Sequence, residues 1–257
     1  MSSKKRLLVK SIILSIICIS IFTIVLDFSR LFVPYNLLST YNNDFIKRVI
    51  VFLAALLVWL AGRDSLSRYD TAIMKVVFIL ISCGEVCFLL KKPALAIAFF
   101  TVCQGLLIAR HSRKLISKLS KARAAQKLKL AVSLLTLISL QLLGILIIYP
   151  MVKLDSTILM GILYSIVLSL SLWTGYANHA LSLFPNKNAK MISIGMFLFY
   201  LCDITVGLDG LLWPGPAWLL VTSLTWAFYT PAITLLALSC YKYEESLSIT
   251  QKKLKSF

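Results

Sequence analysis

The stretch LAVSLLTLISLQLLGILIIY, residues 130–149, contains no charged side chain. As an α-helix it would be about 30 Å long, which is the thickness of the hydrocarbon core of a bilayer. Two further runs, 156–186 and 210–241, are equally free of Asp, Glu, Lys and Arg. Because apolar residues follow one another in these runs and do not alternate with polar ones, the pattern predicts transmembrane helices and not the strands of a β-barrel.

The composition of the whole chain points the same way. Of its 257 residues, 59% are hydrophobic and 14% are charged, whereas a soluble domain carries roughly 25% charged residues. We therefore predict an all-α membrane protein, a bundle of eight transmembrane helices that forms a single integral membrane domain over residues 1–257. The predicted spans are 8–26, 48–62, 72–90, 93–109, 130–149, 157–176, 191–207 and 217–240.

The basic residues are distributed unevenly over the predicted loops. With eight spans, the two termini lie on one side of the membrane, and 21 of the 27 Lys and Arg residues fall on that side. The other side holds Arg30, Lys47, Arg48, Lys91, Lys92 and Lys153. By the positive-inside rule both termini are expected to be cytoplasmic, in the plasma (inner) membrane of a bacterium. This topology accounts for the net charge of +17, so we expect no nucleic-acid partner.

Two segments need separate interpretation. The chain begins with the basic segment MSSKKR and an apolar stretch, as a signal sequence does, but Asp27 and Arg30 stand where a cleavage site would need small residues. We therefore expect a retained first helix. The loop 110–129 holds eight basic residues and no acid. It is either a short interfacial helix on anionic headgroups or a solvated loop, and His111 is assigned to its basic cluster and not to a catalytic site.

Two acidic residues lie well inside predicted spans, Glu85 in the third and Asp203 in the seventh. A carboxylate at the centre of a bilayer costs ~2.5–3.5 kcal/mol, so such residues usually have a function. The segments FILISCGEVCFLL (78–90) and FLFYLCDITVGL (197–208) both place a Phe-rich run and a cysteine before the acid. A four-plus-four internal repeat would put the two acids at matching positions in two halves of one bundle.

Two neutral polar residues, Gln104 in the fourth span and Tyr229 in the eighth, fall at a similar predicted depth. Two carboxyl groups at one depth favour a site in which one is a neutral acid and the other is ionised, as general acid chemistry requires. A packing role for protonated or hydrogen-bonded acids remains the alternative. All six cysteines lie in predicted spans without the spacing of metal ligands, so we expect buried free thiols that act as small apolar residues.

Four short segments then occur in an informative order: Gly84–Glu85, FFTVCQ ending in Gln104, FYLCD ending in Asp203, and YTPAI starting with Tyr229. In this order they resemble the YhhN-like lysoplasmalogenase family of polytopic membrane proteins. That family has Gly-Asp or Ala-Asp, a Phe-containing helix with His or Gln, a Phe-x-x-Ser-Asp-like segment, and a later Tyr. Lys47 corresponds to a basic residue that the family carries at the outer end of the second span. The chain departs from the family with Glu85 for Asp, Cys202 for Ser and Ile233 for Gln.

The resemblance implies hydrolysis of the vinyl-ether bond of a lysoplasmalogen to a fatty aldehyde and a glycerophospho-base. It implies Asp203 and Glu85 as the catalytic carboxylates, with Gln104, Tyr229 and Lys47 binding the substrate. The expected partners are a single-chain ether lysophospholipid and membrane lipids, and no metal or other cofactor is expected. Two alternatives remain at this point: a small transporter or channel in which the acids relay protons or bind cations, and a catalytically silent lipid-binding member of the same fold.

Overall fold

A computed structural model of the chain describes residues 2–29, 32, 44–151, 155–212 and 215–243. Within these residues there are eight α-helices long and apolar enough to cross a membrane, and there is no β-strand. The predicted all-α eight-helix bundle is therefore confirmed, and the protein is an integral membrane protein. The eight helices are α1 Ser3–Ser29, α2 Asp44–Ala61, α3 Arg68–Leu89, α4 Pro93–His111, α5 Ala124–Ile148, α6 Ser156–Ala180, α7 Asn186–Asp209 and α8 Pro216–Leu238.

Seven of the eight helices are longer than the predicted spans because they continue past the most apolar residues into polar or charged turns, whereas α8 is one residue shorter than its span. A helix does not end where the hydrocarbon ends, since its backbone hydrogen bonds continue through charged turns. It ends where the chain provides a cap. Ser67 accepts a hydrogen bond from the Asp70 amide and starts α3, Asp155 caps α6 in the same way, and Pro93 and Pro216 occupy the first turns of α4 and α8.

Contacts between helix ends establish that successive helices run in opposite directions. Lys5 at the start of α1 pairs with Asp64 just beyond α2, and Gln126 at the start of α5 donates to the Ala180 carbonyl at the end of α6. One end of the bundle thus holds the start of α1, the α2–α3, α4–α5 and α6–α7 connections and the end of α8. We name it the basic end, because the predicted excess of Lys and Arg lies there. It includes a short loop helix, Leu115–Ser120.

Seven of the helices form a closed ring. Going around it, α1 packs on α2, α2 on α3, α3 on α4, α4 on α6, α6 on α7 and α7 on α8, which contacts both α1 and α2. Helix α5 lies outside the ring against α6, and most of its apolar stretch is exposed. Gln141 of α5 holds the two helices together, because its amide donates to Ser165 at 2.6 Å and accepts from Ser169 at 3.1 Å.

The order of these contacts has the form that a four-plus-four repeat requires. Adding four to each helix number turns the α1–α2, α2–α3 and α3–α4 contacts into the observed α5–α6, α6–α7 and α7–α8 contacts. If the count returns to α1 after α8, it also turns the α4–α6 contact into the observed α8–α2 contact. The exception is the α1–α8 contact, because α5 has moved away from α4. The internal repeat stays a prediction, and the packing gives each acid-bearing helix, α3 and α7, an equivalent set of neighbours.

Candidate functional site

The two acids occupy equivalent positions in α3 and α7. Counting from Arg68 and Asn186, Glu85 and Asp203 are each the eighteenth residue of their helix. Glu85 lies four residues before the end of α3 and Asp203 six before the end of α7, which is roughly 6 and 9 Å at 1.5 Å per residue. Both acids therefore lie nearer the end opposite the basic end, seventeen residues or roughly 26 Å from the start of their helices.

A residue of the preceding helix engages each acid. Arg48 of α2 lies 3.8 Å from Oε2 of Glu85, and its Nε donates to the Glu85 backbone carbonyl at 3.2 Å. Tyr164 of α6 donates its hydroxyl to Oδ2 of Asp203 at 2.5 Å. The first carboxylate thus has a cationic partner, whereas the second has a neutral one. The sequence pattern indicates the acids but neither of these partners.

The acids share one environment at the centre of the ring. Glu85 and Asp203 are close enough to interact electrostatically, and the hydroxyl of Tyr229 in α8 lies close to both acids. That hydroxyl makes no hydrogen bond of standard geometry to the described residues. Glu85 and Tyr229 are buried, whereas Asp203 and Tyr164 keep part of their surface accessible. A reactant could therefore reach Asp203 without unfolding the bundle.

Gln104 of α4 has no exposed surface, and within the described part of the chain neither its amide nitrogen nor its amide oxygen has a hydrogen-bond partner. A buried amide without partners is expensive, and such groups in native proteins usually bind water or a ligand. Its neighbour Cys103 lies near Asp203, so this part of α4 approaches the second acid. Of the five predicted site residues, Glu85, Asp203 and Tyr229 thus lie close together, and Gln104 is next in sequence to the cysteine that lies near Asp203.

Lys47, the fifth predicted site residue, is engaged elsewhere. It is 2% exposed, its Nζ lies 2.6 Å from Oδ2 of Asp27 at the end of α1, and it lies over the ring of Trp226 at 5.7 Å. A lysine that is buried and paired in this way links α1 to α2 and α8. Its contact with the site is indirect, because the Trp226 ring packs edge-on against Tyr229 at 5.4 Å.

Aromatic rings from α3, α4, α7 and α8 pack in a continuous row. Starting from the end of α3, Phe88, Phe100, Phe199, Tyr229 and Trp226 follow one another with ring centroids 5.4–6.3 Å apart. Gly84 lets the Phe100 ring of α4 pack closely on α3, because a Cβ atom at that position would lie 2.6 Å from Cε2 of Phe100. In the Gly84–Glu85 segment, helix packing therefore explains the glycine, and the carboxylate is the group capable of chemistry.

A second buried polar cluster lies at the basic end, and sequence analysis missed it. Arg110 and His111 were assigned to a basic loop, but both are fully buried at the end of α4. Arg110 donates to both Asp70 carboxylate oxygens, at 2.7 and 3.1 Å, and to the Ser239 hydroxyl at 2.9 Å. Asn188 of α7 donates to the Ser239 carbonyl at 2.8 Å. The side chains of Asp70 and Arg110 are forty residues apart in sequence, so hydropathy carried no signal of this pair.

The remaining predictions have mixed outcomes. In the 110–129 segment, Leu115 of the loop helix is buried against the bundle, whereas Ile116 is 85% exposed among lysines. The cysteines are free, and four of them are buried, but Cys18 is exposed on α1 and Cys83 is half-buried. Cys18 was predicted to be buried because it lies in a span, and hydropathy does not tell a lipid-facing position from an interior one.

Scans against protein-family models and searches of curated proteins and of solved structures found no match to this chain. The resemblance to the YhhN-like lysoplasmalogenases therefore stays a prediction, which rests on the four short segments.

Proposed function

We propose that the protein is a membrane-embedded hydrolase that cleaves the vinyl-ether bond of a lysoplasmalogen, and that it is a divergent member of the YhhN-like lysoplasmalogenase family. The observation that carries the proposal is the pair of interacting carboxylates with unlike partners, Arg48 on Glu85 and Tyr164 on Asp203. Two carboxyl groups in unlike environments are what acid–base catalysis on an ether requires.

The reaction starts with proton transfer to carbon. Asp203, whose described partner is neutral, donates its proton to the β-carbon of the vinyl ether, and the electron pair of the double bond forms the new C–H bond. This leaves an oxocarbenium ion, which the negative charge of Glu85 stabilises. Because Tyr164 donates to Oδ2 of Asp203, the proton to be transferred is carried on Oδ1. Such a positioned proton donor typically contributes 10²–10⁴-fold to a rate.

Water completes the reaction. A water molecule gives a proton to Glu85 as the water oxygen adds to the cationic carbon, which gives a hemiacetal. The hemiacetal collapses to a fatty aldehyde when Glu85 gives its proton to the leaving glycerol oxygen and Asp203 takes one from the hemiacetal hydroxyl. Both carboxyl groups then regain their starting states, and the net reaction consumes one water. Gln104 and Tyr229 are the groups suited to hold this water, because their buried polar atoms need hydrogen-bond partners.

A proton or cation relay is less well supported. A transporter needs a polar path across the bundle, and much of the described interior between the acids and the basic end consists of apolar side chains without exposed surface. They come from α3, α4, α7 and α8 and are Met74, Val77, Phe78, Ile81, Leu107, Ile192, Met196, Ile233 and Leu236.

The test is release of fatty aldehyde from a purified lysoplasmalogen by the purified protein in detergent or nanodiscs. The wild type is expected to release aldehyde, and Asp203→Asn and Glu85→Gln are expected to reduce the rate at least ~100-fold. Asp209→Asn is the matched control, since Asp209 is on the same helix as Asp203 and bonds to Thr222 at the end of α8 opposite the basic end. It should retain the wild-type rate.

Wild-type rates in both carboxylate variants would refute the assignment of the acids. A wild-type protein that releases no aldehyde from any vinyl-ether lipid would refute the hydrolase, and it would leave the silent lipid-binding member of the fold as the reading to pursue.

A further inference from the structure

We infer that Lys91 and Lys92 bind the phosphate of the substrate, and that the substrate is drawn from the leaflet at the end opposite the basic end. This inference rests on the proposed function and names the residues that recognise the headgroup. Lys47, which was expected to bind the substrate, is not among them.

The two lysines occupy a short turn next to the acid site. Only three residues, 90–92, separate α3 from α4, and both lysines are exposed. Lys91 follows Glu85 by six residues, which corresponds to about 9 Å along the helix direction. In a lysoplasmalogen the phosphate is separated from the vinyl-ether oxygen by the glycerol unit alone. When the vinyl ether contacts the carboxylates, the phosphate therefore lies only a short distance from them toward the end of α3. An extended lysine side chain from this turn spans that distance.

The backbone of this turn holds the lysines in place. The Lys92 amide donates to the Cys87 carbonyl at 2.9 Å and the Lys91 amide to the Phe88 carbonyl at 3.0 Å, which together form a Schellman cap. Lys91 occupies the left-handed position of that cap with φ of 55°. Glycine is the usual residue there because a side chain costs roughly 1–2 kcal/mol in this conformation. A lysine at a position suited to glycine points to a role for its charge.

The other described cations near the acids are already paired. Lys47 pairs with Asp27 and Arg48 with Glu85, so neither is available to an anion without breaking an existing pair. Among the described residues, Lys91 and Lys92 form no ion pair. The lysines at the basic end are too distant, since Asp70 and Glu85 are fifteen residues apart on α3, or roughly 22 Å. The phosphate of a substrate held at Glu85 and Asp203 thus cannot reach the loop helix.

The experiment compares two vinyl-ether substrates, one with a glycerophosphate headgroup and one alkenylglycerol without phosphate. The double variant Lys91→Gly, Lys92→Gln removes both charges, and glycine suits the left-handed backbone at position 91, so the turn is retained. We expect the ratio of kcat/KM for the phosphorylated over the phosphate-free substrate to fall about tenfold, mainly through KM, since two exposed charge contacts are lost. The control Lys118→Gln, Lys121→Gln removes two exposed charges from the loop helix region and should leave the ratio unchanged.

Salt provides an independent readout. The KM of the wild type for the phosphorylated substrate should rise with ionic strength, whereas that of the Lys91/Lys92 variant should rise much less. An active wild type whose substrate ratio is unaffected in the Lys91/Lys92 variant would overturn the inference and leave the hydrolase intact. A fall of the ratio in the Lys118/Lys121 control alone would place the headgroup at the basic end and would also overturn it. A wild type inactive on both substrates would refute the hydrolase together with this inference.

Discussion

The ion pair between Asp70 and Arg110 at the basic end allows a quantitative test of the fold. Arg110 has no exposed surface and Asp70 has 5%. The guanidinium donates to both carboxylate oxygens and also to the hydroxyl and the carbonyl of Ser239. Replacing Asp70 by Asn keeps the shape but leaves a buried cation without its counter-ion. Breaking such a pair typically costs ~3–5 kcal/mol, so Asp70→Asn should lower the free energy of unfolding by about that amount.

The double variant Asp70→Leu, Arg110→Met should be less damaged than Asp70→Asn. Both charges are then absent, and burying apolar groups in place of a paired set is often close to neutral. The two contacts of Arg110 to Ser239 are still lost, which leaves a deficit of about 1–2 kcal/mol. The coupling energy between positions 70 and 110 should therefore be at least ~2 kcal/mol in a double-mutant cycle measured by reversible unfolding in mixed detergent micelles.

Lys5 and Asp64 provide the matched control. This pair joins α1 to the end of α2 at the same end of the bundle, but its side chains are 23% and 24% exposed. Solvent screens an exposed pair, so Asp64→Asn should cost no more than about 1 kcal/mol. Equal losses for Asp64→Asn and Asp70→Asn, or simple additivity of the changes at positions 70 and 110, would refute the buried pair.

Three further changes probe the site and the scaffold. Gly84→Ala should lower the free energy of unfolding by about 1–3 kcal/mol because its Cβ would meet Phe100. Gly105→Ala is the control, since no atom lies within 4 Å of the new Cβ, and it should not lower this free energy. Equal effects of the two variants would contradict the close approach of α3 and α4. Tyr164→Phe removes the hydrogen bond to Asp203 and should lower kcat for aldehyde release about tenfold. Tyr200→Phe on α7 is the control and should leave kcat unchanged. An unchanged kcat in Tyr164→Phe would show that Tyr164 does not position the acid. Gln141→Leu should weaken the attachment of α5 to α6 by about 1 kcal/mol, since two interhelical bonds are lost, while Leu143→Ala on the exposed face of α5 should change unfolding little.

The number and order of the helices could be predicted because hydropathy over about 20 residues reports directly on the cost of burying the backbone in lipid. Helix ends could not, since that cost says nothing about caps such as Ser67. The lipid-facing position of α5 was also beyond the pattern, because lipid and protein interior are equally apolar. An apolar run therefore predicts a span without predicting which face of it packs.

The acids of the site were predictable because a carboxylate in an apolar helix is costly and needs an explanation. Their partners were not. Tyr164 is one tyrosine in an apolar helix and gives no signal by itself, and Arg48 was counted as a residue of the span boundary. Lys47 shows a different limit of the sequence pattern, because the resemblance places it among the substrate-binding residues, whereas the structure shows it buried and paired with Asp27. Its burial depends on Asp27, which belongs to another helix and was interpreted only as part of the chain start.

The two halves of the bundle use equivalent positions with different chemistry. The third residue of α3 is Asp70, which binds the end of α4 through Arg110, and the third residue of α7 is Asn188, which binds the end of α8 through backbone carbonyls. The eighteenth residues are Glu85, paired with Arg48, and Asp203, bonded to Tyr164. In each comparison the first half uses a charged pair and the second half a neutral hydrogen bond. If a duplicated scaffold had kept the same partners in both halves, the two carboxylates at its centre would be equivalent and neither would be favoured as the proton donor. Under the proposed function, the difference between the partners, more than that between the acids, suits Asp203 and Glu85 to different roles in one reaction.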